Sequence, residues 1–138
     1  MRWPAPLAGM VIRYSYLWSG EALIGREEGV KDRPCAVVLV TKGEDDNIYV
    51  RVLPVTHRQP LRPDEAVEIP SAIKKRLGLD EAPSWIVISE TNVFPWPGPD
   101  VRPVPGTGSP VYGFLPNNYF RHVLLQLAKR RIRAVRRT

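Results

Sequence analysis

Residues 33–40, RPCAVVLV, followed by TKGEDDN at 41–47 and IYVRVLPVT at 48–56, decide the fold of this chain. After Arg33-Pro34, residues 35–40 are continuously apolar and of strand length, so they read as a strand buried on both faces. Residues 42–47 in the middle are a polar turn. The last run alternates and reads as the next strand. Pairing the two as a hairpin brings Arg33, at the start of one strand, to the same end of the sheet as Thr56, at the end of the other. A fixed guanidinium beside a hydroxyl suits a phosphodiester, because the planar fork can hold two phosphate oxygens at once.

Working outward, residues 11–18, rich in aromatic and β-branched side chains, read as an earlier strand. This makes a three-stranded meander by position 56. Residues 19–32 are polar, with three glycines, and read as a long loop or hairpin tip. Residues 70–78 carry proline where a first helical residue belongs and glycine where a C-cap belongs, so they read as a helix of two turns with Ile73 and Leu77 inward. Residues 85–89 read as a fourth strand, residues 95–99 as a rigid turn, 101–104 as a short edge strand and 110–115 as another strand. Asn118 is expected to cap a last helix. Its apolar stripe would run from Tyr119 through Val123 and Leu127 to Ala128, Ile132 and Val135, as a face for docking on the sheet. The expected class is mainly β or α+β: a small, strongly bent antiparallel barrel with a short internal helix and a C-terminal helix, in one domain over residues 1–138.

Fifteen of the 138 residues are proline, about twice the usual share, and they are spread along the chain. Prolines fall at strand ends, edges and turns, which favours many short strands. The net charge is +6, yet residues 129–138 hold six basic residues and no acid, leaving 14 of each sign before them. The excess is therefore confined to the tail. It reads either as a basic helix end complementing the helix dipole or as a footprint for a polyanion or acidic partner. Cys35 is the single cysteine, which excludes an intrachain disulfide and a cysteine-based zinc site. Its apolar setting reads as an inert core thiol, and a cytoplasmic location is the default expectation. Two histidines and scattered acids show no metal-ligand spacing, no glycine-rich loop leads into a helix, and no apolar stretch is long enough to span a bilayer, so no cofactor, metal or membrane is expected.

Three parts of the chain resemble the MazF/PemK/Kid family of toxins from toxin–antitoxin pairs: GMV at residues 9–11, KDRPCAVVL at 31–39 and LPVT at 53–56. The order of the last two and the interval between Arg33 and Thr56 are also similar to the family's. The resemblance implies an SH3-like antiparallel barrel that forms a homodimer. It implies metal-independent, sequence-selective endoribonuclease activity on single-stranded RNA, growth inhibition, a role in plasmid maintenance and a small acidic antitoxin as partner. Carried over, Arg33 would stabilise charge on the phosphorane and Thr56 would hold the phosphate. The ribose 2′-OH would attack, leaving a 2′,3′-cyclic phosphate and a 5′-OH. Lys31, Arg58, Asn92 and Trp96 are the residues expected to touch RNA, Trp96 by stacking on a base. The loop between Trp18 and Lys31 would flank the channel.

The chain departs from the family at two places. His57 stands where the family has a serine, and the segment carrying polar residues in relatives offers only Glu90 and Asn92 here, with Pro95 near an aspartate position. His57 and Glu90 are the residues available for proton transfer, since an imidazole titrates near neutrality. A second reading keeps the barrel without the chemistry: a non-catalytic SH3-like module that binds RNA or a protein partner.

Overall fold

A computed structural model describes residues 3–20, 31–130 and 133–136. Among these are eight strands: β1 (Met10–Tyr14), β2 (Arg33–Lys42), β3 (Ile48–Thr56), β4 (Ala66–Glu68), β5 (Trp85–Val87), β6 (Glu90–Pro95), β7 (Val111–Phe114) and β8 (Arg133–Arg136). Two α-helices accompany them, α1 (Ser71–Arg76) and α2 (Asn117–Ala128). The class is α+β with strand predominating. All pairings are antiparallel except that of β8, which runs parallel to β6.

The hairpin of β2 and β3 is the spine, as the sequence leads one to expect. Its register runs from Cys35 opposite Pro54 to Lys42 opposite Ile48. On its other edge β3 is shared. Tyr49 to Val52 pair with β6, whereas Val55 and Thr56 pair with β5. Pro54 sits just where the partner changes, and with no N–H it has no ladder bond to lose there. Register shifts between Val37 and Leu39 in β2, and between Val111 and Gly113 in β7 opposite Val11 and Ile12, add bulges that sharpen the twist. The strand path runs β4-β5-β3-β2-β1-β7, and among the described residues no ladder joins its two ends.

Alternation along β2 divides the core into two. Ala36 and Val38 pack with Val11, Leu53, Ile86 and Val123 of α2, whereas Cys35 and Val37 pack with Ile12, Tyr14, Val50 and Phe94. Both faces of the run are thus buried, which is why it shows no polar alternation. Each such aliphatic side chain contributes about 1.5–3 kcal/mol. At α1, Gly78 follows the helix with φ +70, the left-handed C-terminal position that glycine fills without strain.

Several expectations need correction. The last helix begins two residues earlier than expected, with Pro116 and not Asn118 at its N-cap, and it stops at Ala128. The basic end at 129–138 is therefore not a helix end: Arg133–Arg136 form β8 against β6. Val135 belongs to that strand and not to the helical stripe, and Ile132 lies outside the described residues. Beyond Ala128 the chain leaves the helix, and β6 offers an edge with which Arg133–Arg136 pair. Residues 101–104 form only a single bridge, Val101 to Tyr14, because Pro103 has no N–H to extend it. The first strand ends at Tyr14, although Tyr16 and Leu17 beyond it are buried. Strands β4 and β6 were not expected. Most of the loop at 19–32 lies outside the described residues. Among the described residues, no helix is long and apolar enough to cross a membrane.

Candidate functional site

The register that sets Cys35 opposite Pro54 carries Arg33 and Thr56 to facing ends of β2 and β3. Arg33 Nη1 donates to the Val55 carbonyl at 3.4 Å, and its guanidinium lies over the Trp18 ring, 5.0 Å from the centroid. Its Nε is buried and has no hydrogen-bond partner among the described residues. The neighbouring Asp32 is engaged by Arg13 at 3.6 Å and by Arg102 at 3.7 Å. Arg33 therefore reaches the site with donors to spare, oriented by an indole face. Thr56 Oγ1 accepts the Arg58 N–H at 3.1 Å, which leaves its hydroxyl hydrogen to donate elsewhere.

Both residues line a cleft of about 540 Å³ whose cations are Arg13, Lys31, Arg33, Arg58 and Lys74, against the acids Asp32 and Asp80. A second cleft of about 670 Å³ shares Arg33, Thr56 and Arg58 but is walled by Trp18, Pro60, Leu61, Ala66 and Val87. Arg33 and Thr56 are thus common to a basic cleft and an apolar one. A phosphate with a base attached has that same polarity.

His57 follows Thr56 and lines the basic cleft, because β3 ends at Thr56 and the backbone turns there. Its Nε2 is 2.9 Å from Asp80 Oδ2. Its Nδ1 is 3.0 Å from both Ser84 Oγ and the Pro83 carbonyl. Beneath it, Lys74 is only 4% exposed and directs its ammonium to Asp80 Oδ1 at 2.8 Å, Ser84 Oγ at 2.7 Å and the Ala82 carbonyl. That hydrogen bond from Lys74 is the main reason the Asp80 carboxyl is held below the usual aspartate value, with the His57 charge adding to it.

Lys31 and Arg58 line the basic cleft with Arg33, Thr56 and His57. The other expected site residues lie elsewhere. Asn92 is fully buried: its carboxamide donates to the Leu17 carbonyl at 2.8 Å and accepts from the Leu17 N–H at 2.9 Å and from Tyr14 Oη at 3.2 Å. It is a clamp on backbone, out of reach of RNA. Glu90 accepts from Tyr16 Oη at 3.1 Å and from the Ser19 N–H and hydroxyl at 2.9 and 3.0 Å, and it lines neither cleft. Burial and that carboxylate together push the Tyr16 phenol far up. Trp96 packs on Phe94 and donates its Nε1–H to the Pro4 carbonyl, away from both clefts. Cys35 is buried, and burial pushes its thiol up, as befits a core residue.

Lys74, Asp80 and Ser84 were not foreseen. A signal was present: Ile73, Lys74 and Leu77 share one face of a helix, so a lysine stood on the inward stripe. Among the described residues, no group of three or more histidine, cysteine or acidic side chains is arranged to hold a metal ion. No family model matches the chain, and no curated protein matches it.

Proposed function

We propose that the protein is an endoribonuclease that cleaves single-stranded RNA by attack of the ribose 2′-OH on the adjacent phosphate, with Arg33 and Thr56 as the phosphate-binding pair. The observation that carries this reading is the convergence of Arg33 and Thr56 at facing strand ends in a cleft with four further cations. The guanidinium holds two non-bridging oxygens and the hydroxyl donates to one. Both donors strengthen as negative charge builds on the phosphorane, a contribution often worth about 3 kcal/mol per donor. Written this way, the step needs no metal. Lys31 and Arg58 hold flanking phosphates, and the apolar cleft beside them takes a base.

The toxin resemblance of residues 9–11, 31–39 and 53–56 fits this chemistry. The bent sheet, with β3 shared among β2, β5 and β6, fits an SH3-like barrel. A homodimer and a small acidic antitoxin belong to the same reading.

The test is cleavage of a long single-stranded RNA by purified protein in EDTA, with Arg33→Ala in parallel. Defined fragments with 5′-OH and 2′,3′-cyclic phosphate ends, lost in Arg33→Ala, are the expected result. Wild-type protein that is folded and binds RNA without cutting it would replace this reading with the binding module.

A further inference from the structure

We infer that the apolar cleft is selective for guanine, with the Glu65 carboxylate accepting from N1–H and the N2 amine of the base whose phosphate Arg33 and Thr56 hold. This deepens the cleavage reading proposed above and rests on its placement of the phosphate.

Glu65 is the one acid that lines this cleft among the described residues, and it is half-buried among walls that include Trp18, Leu61 and Val87. No hydrogen bond or ion pair engages its carboxylate among the described residues. A charge held against apolar surface costs desolvation, which a partner offsets. Here the cleft leaves that partner to a ligand. An acid in the same cleft as Arg33 and Arg58 also repels phosphate, so it works against RNA unless it touches a base.

The backbone fixes its position. Glu65 closes a 3-10 turn, Pro63–Glu65, in which its N–H donates to the Arg62 carbonyl at 3.1 Å. Its own carbonyl accepts the Ile88 N–H at 2.9 Å, one step beyond the Ala66–Val87 pair that joins β4 to β5. That extension brings Ser89, next to Ile88, into the lining of the same cleft, and among the described residues its hydroxyl is also without a hydrogen bond. An acceptor and a donor thus stand on a braced strand end, where a base edge can be read with precision.

An ionised carboxylate is acceptor only, with two oxygens side by side. Its complement is a base edge with two adjacent donors. Guanine has that edge in N1–H and the N2 amine. Adenine and cytosine set one amino group beside a ring acceptor, and uracil sets its N–H between two carbonyls, so each turns a lone pair toward the carboxylate. The Ser89 hydroxyl supplies a donor of the kind that guanine O6 accepts. At about 670 Å³ the cleft has room for a purine and its ribose.

The test is binding of short uridine-rich RNAs that differ at one base, followed by fluorescence anisotropy for wild type and Glu65→Gln, with a thermal melt of each. The RNAs carry 2′-fluoro ribose, which removes the nucleophile. The guanosine RNA is expected to bind wild type about tenfold or more tighter than those with adenosine, cytidine or uridine, as a bidentate base contact requires. Inosine, which lacks the N2 amine, is expected to lose most of that gain. Glu65→Gln, whose carboxamide pairs a donor with an acceptor, is expected to lose the guanine preference and to favour adenine. Equal affinity for the four bases overturns the inference, as does a guanine preference that survives either inosine or a folded Glu65→Gln protein. If Glu65→Gln does not fold, inosine bound as tightly as guanosine overturns it. Guanine-selective binding without cleavage of all-ribose RNA overturns the cleavage reading and keeps the pocket. Folded wild-type protein that binds none of these RNAs overturns both.

Discussion

The Arg33 guanidinium lies over the Trp18 ring, its central carbon 5.0 Å from the ring centroid. A cation over an indole gains about 0.5–2 kcal/mol, and the contact helps to hold the guanidinium at the mouth of the cleft. Trp18→Leu is expected to lower RNA cleavage by about 3- to 30-fold with little change in melting temperature, since about 1.4 kcal/mol is tenfold in rate. Arg33→Lys is expected to behave like Arg33→Ala, because a lysine is a point charge without the bidentate fork. Kinetic measurement on both variants checks this. A Trp18→Leu protein with the wild-type rate would show that the indole does not orient the arginine.

Lys74 illustrates how a charge can be core. Replacing it with methionine keeps the length of the stem but removes the donor to Asp80, Ser84 and Ala82. The Asp80 side chain is 60% exposed and can be hydrated, so no charge is stranded in the interior. The cost is then that of the hydrogen bonds lost at Ser84 and Ala82, about 1–3 kcal/mol and not the larger penalty of a broken buried pair. Urea unfolding of Lys74→Met measures it. A change below half a kcal/mol would mean that the methionine stem offsets the lost hydrogen bonds.

Asn92 stands in for a strand. Leu17 lies beyond the end of β1, and the Asn92 carboxamide supplies both a donor and an acceptor to its backbone. Asn92→Ala removes that clamp and the acceptor for Tyr14 Oη inside the core. We expect a loss of about 3 kcal/mol, from groups worth about 1–3 kcal/mol each when left unmade. RNA affinity at a temperature where the variant is folded should equal that of wild type. A selective loss of affinity with unchanged stability would return Asn92 to the interface.

Much of the frame was legible because it rests on long periodic runs. The strands at 33–42 and 48–56 and the turn between them follow from hydrophobic pattern and turn chemistry alone, and with them the meeting of Arg33 and Thr56. Strand β6 was hidden for the opposite reason. Two of its inward residues, Thr91 and Asn92, are polar and buried, so the apolar alternation that marks a strand is interrupted. Strand β4 is three residues long, too short for any period. The tail misled because Val135 extends the helical spacing of the stripe, whereas the helix had already ended at Ala128. The cluster of Lys74, Asp80 and Ser84 around His57 depends on how one loop crosses the end of β3, which no local pattern encodes.

Cys35 offers a direct check of burial. It is fully enclosed in β2, and burial pushes its thiol up, so the reactive thiolate is scarce in the folded state. Labelling by a thiol reagent is expected to be slow in native buffer and complete within the unfolding transition in urea, following the fraction unfolded. Rapid native labelling would mean that β2 opens locally without global unfolding.

Acid should release the Asp80 clasp. The carboxyl is held below the usual aspartate value in the folded protein, chiefly by the hydrogen bond from Lys74. A depressed carboxylate contributes stability that is fully present above the unfolded value and is lost as pH falls through the folded one. Wild type should therefore melt above Asp80→Asn at neutral pH, with the gap closing as pH drops below the usual aspartate range and gone once the carboxyl is protonated in the folded as well as the unfolded protein. The gap should be modest, because solvent screens a side chain this exposed. Melting curves of the two proteins from neutral pH into strong acid decide it. A gap that stayed constant throughout would assign the difference to packing and not to charge.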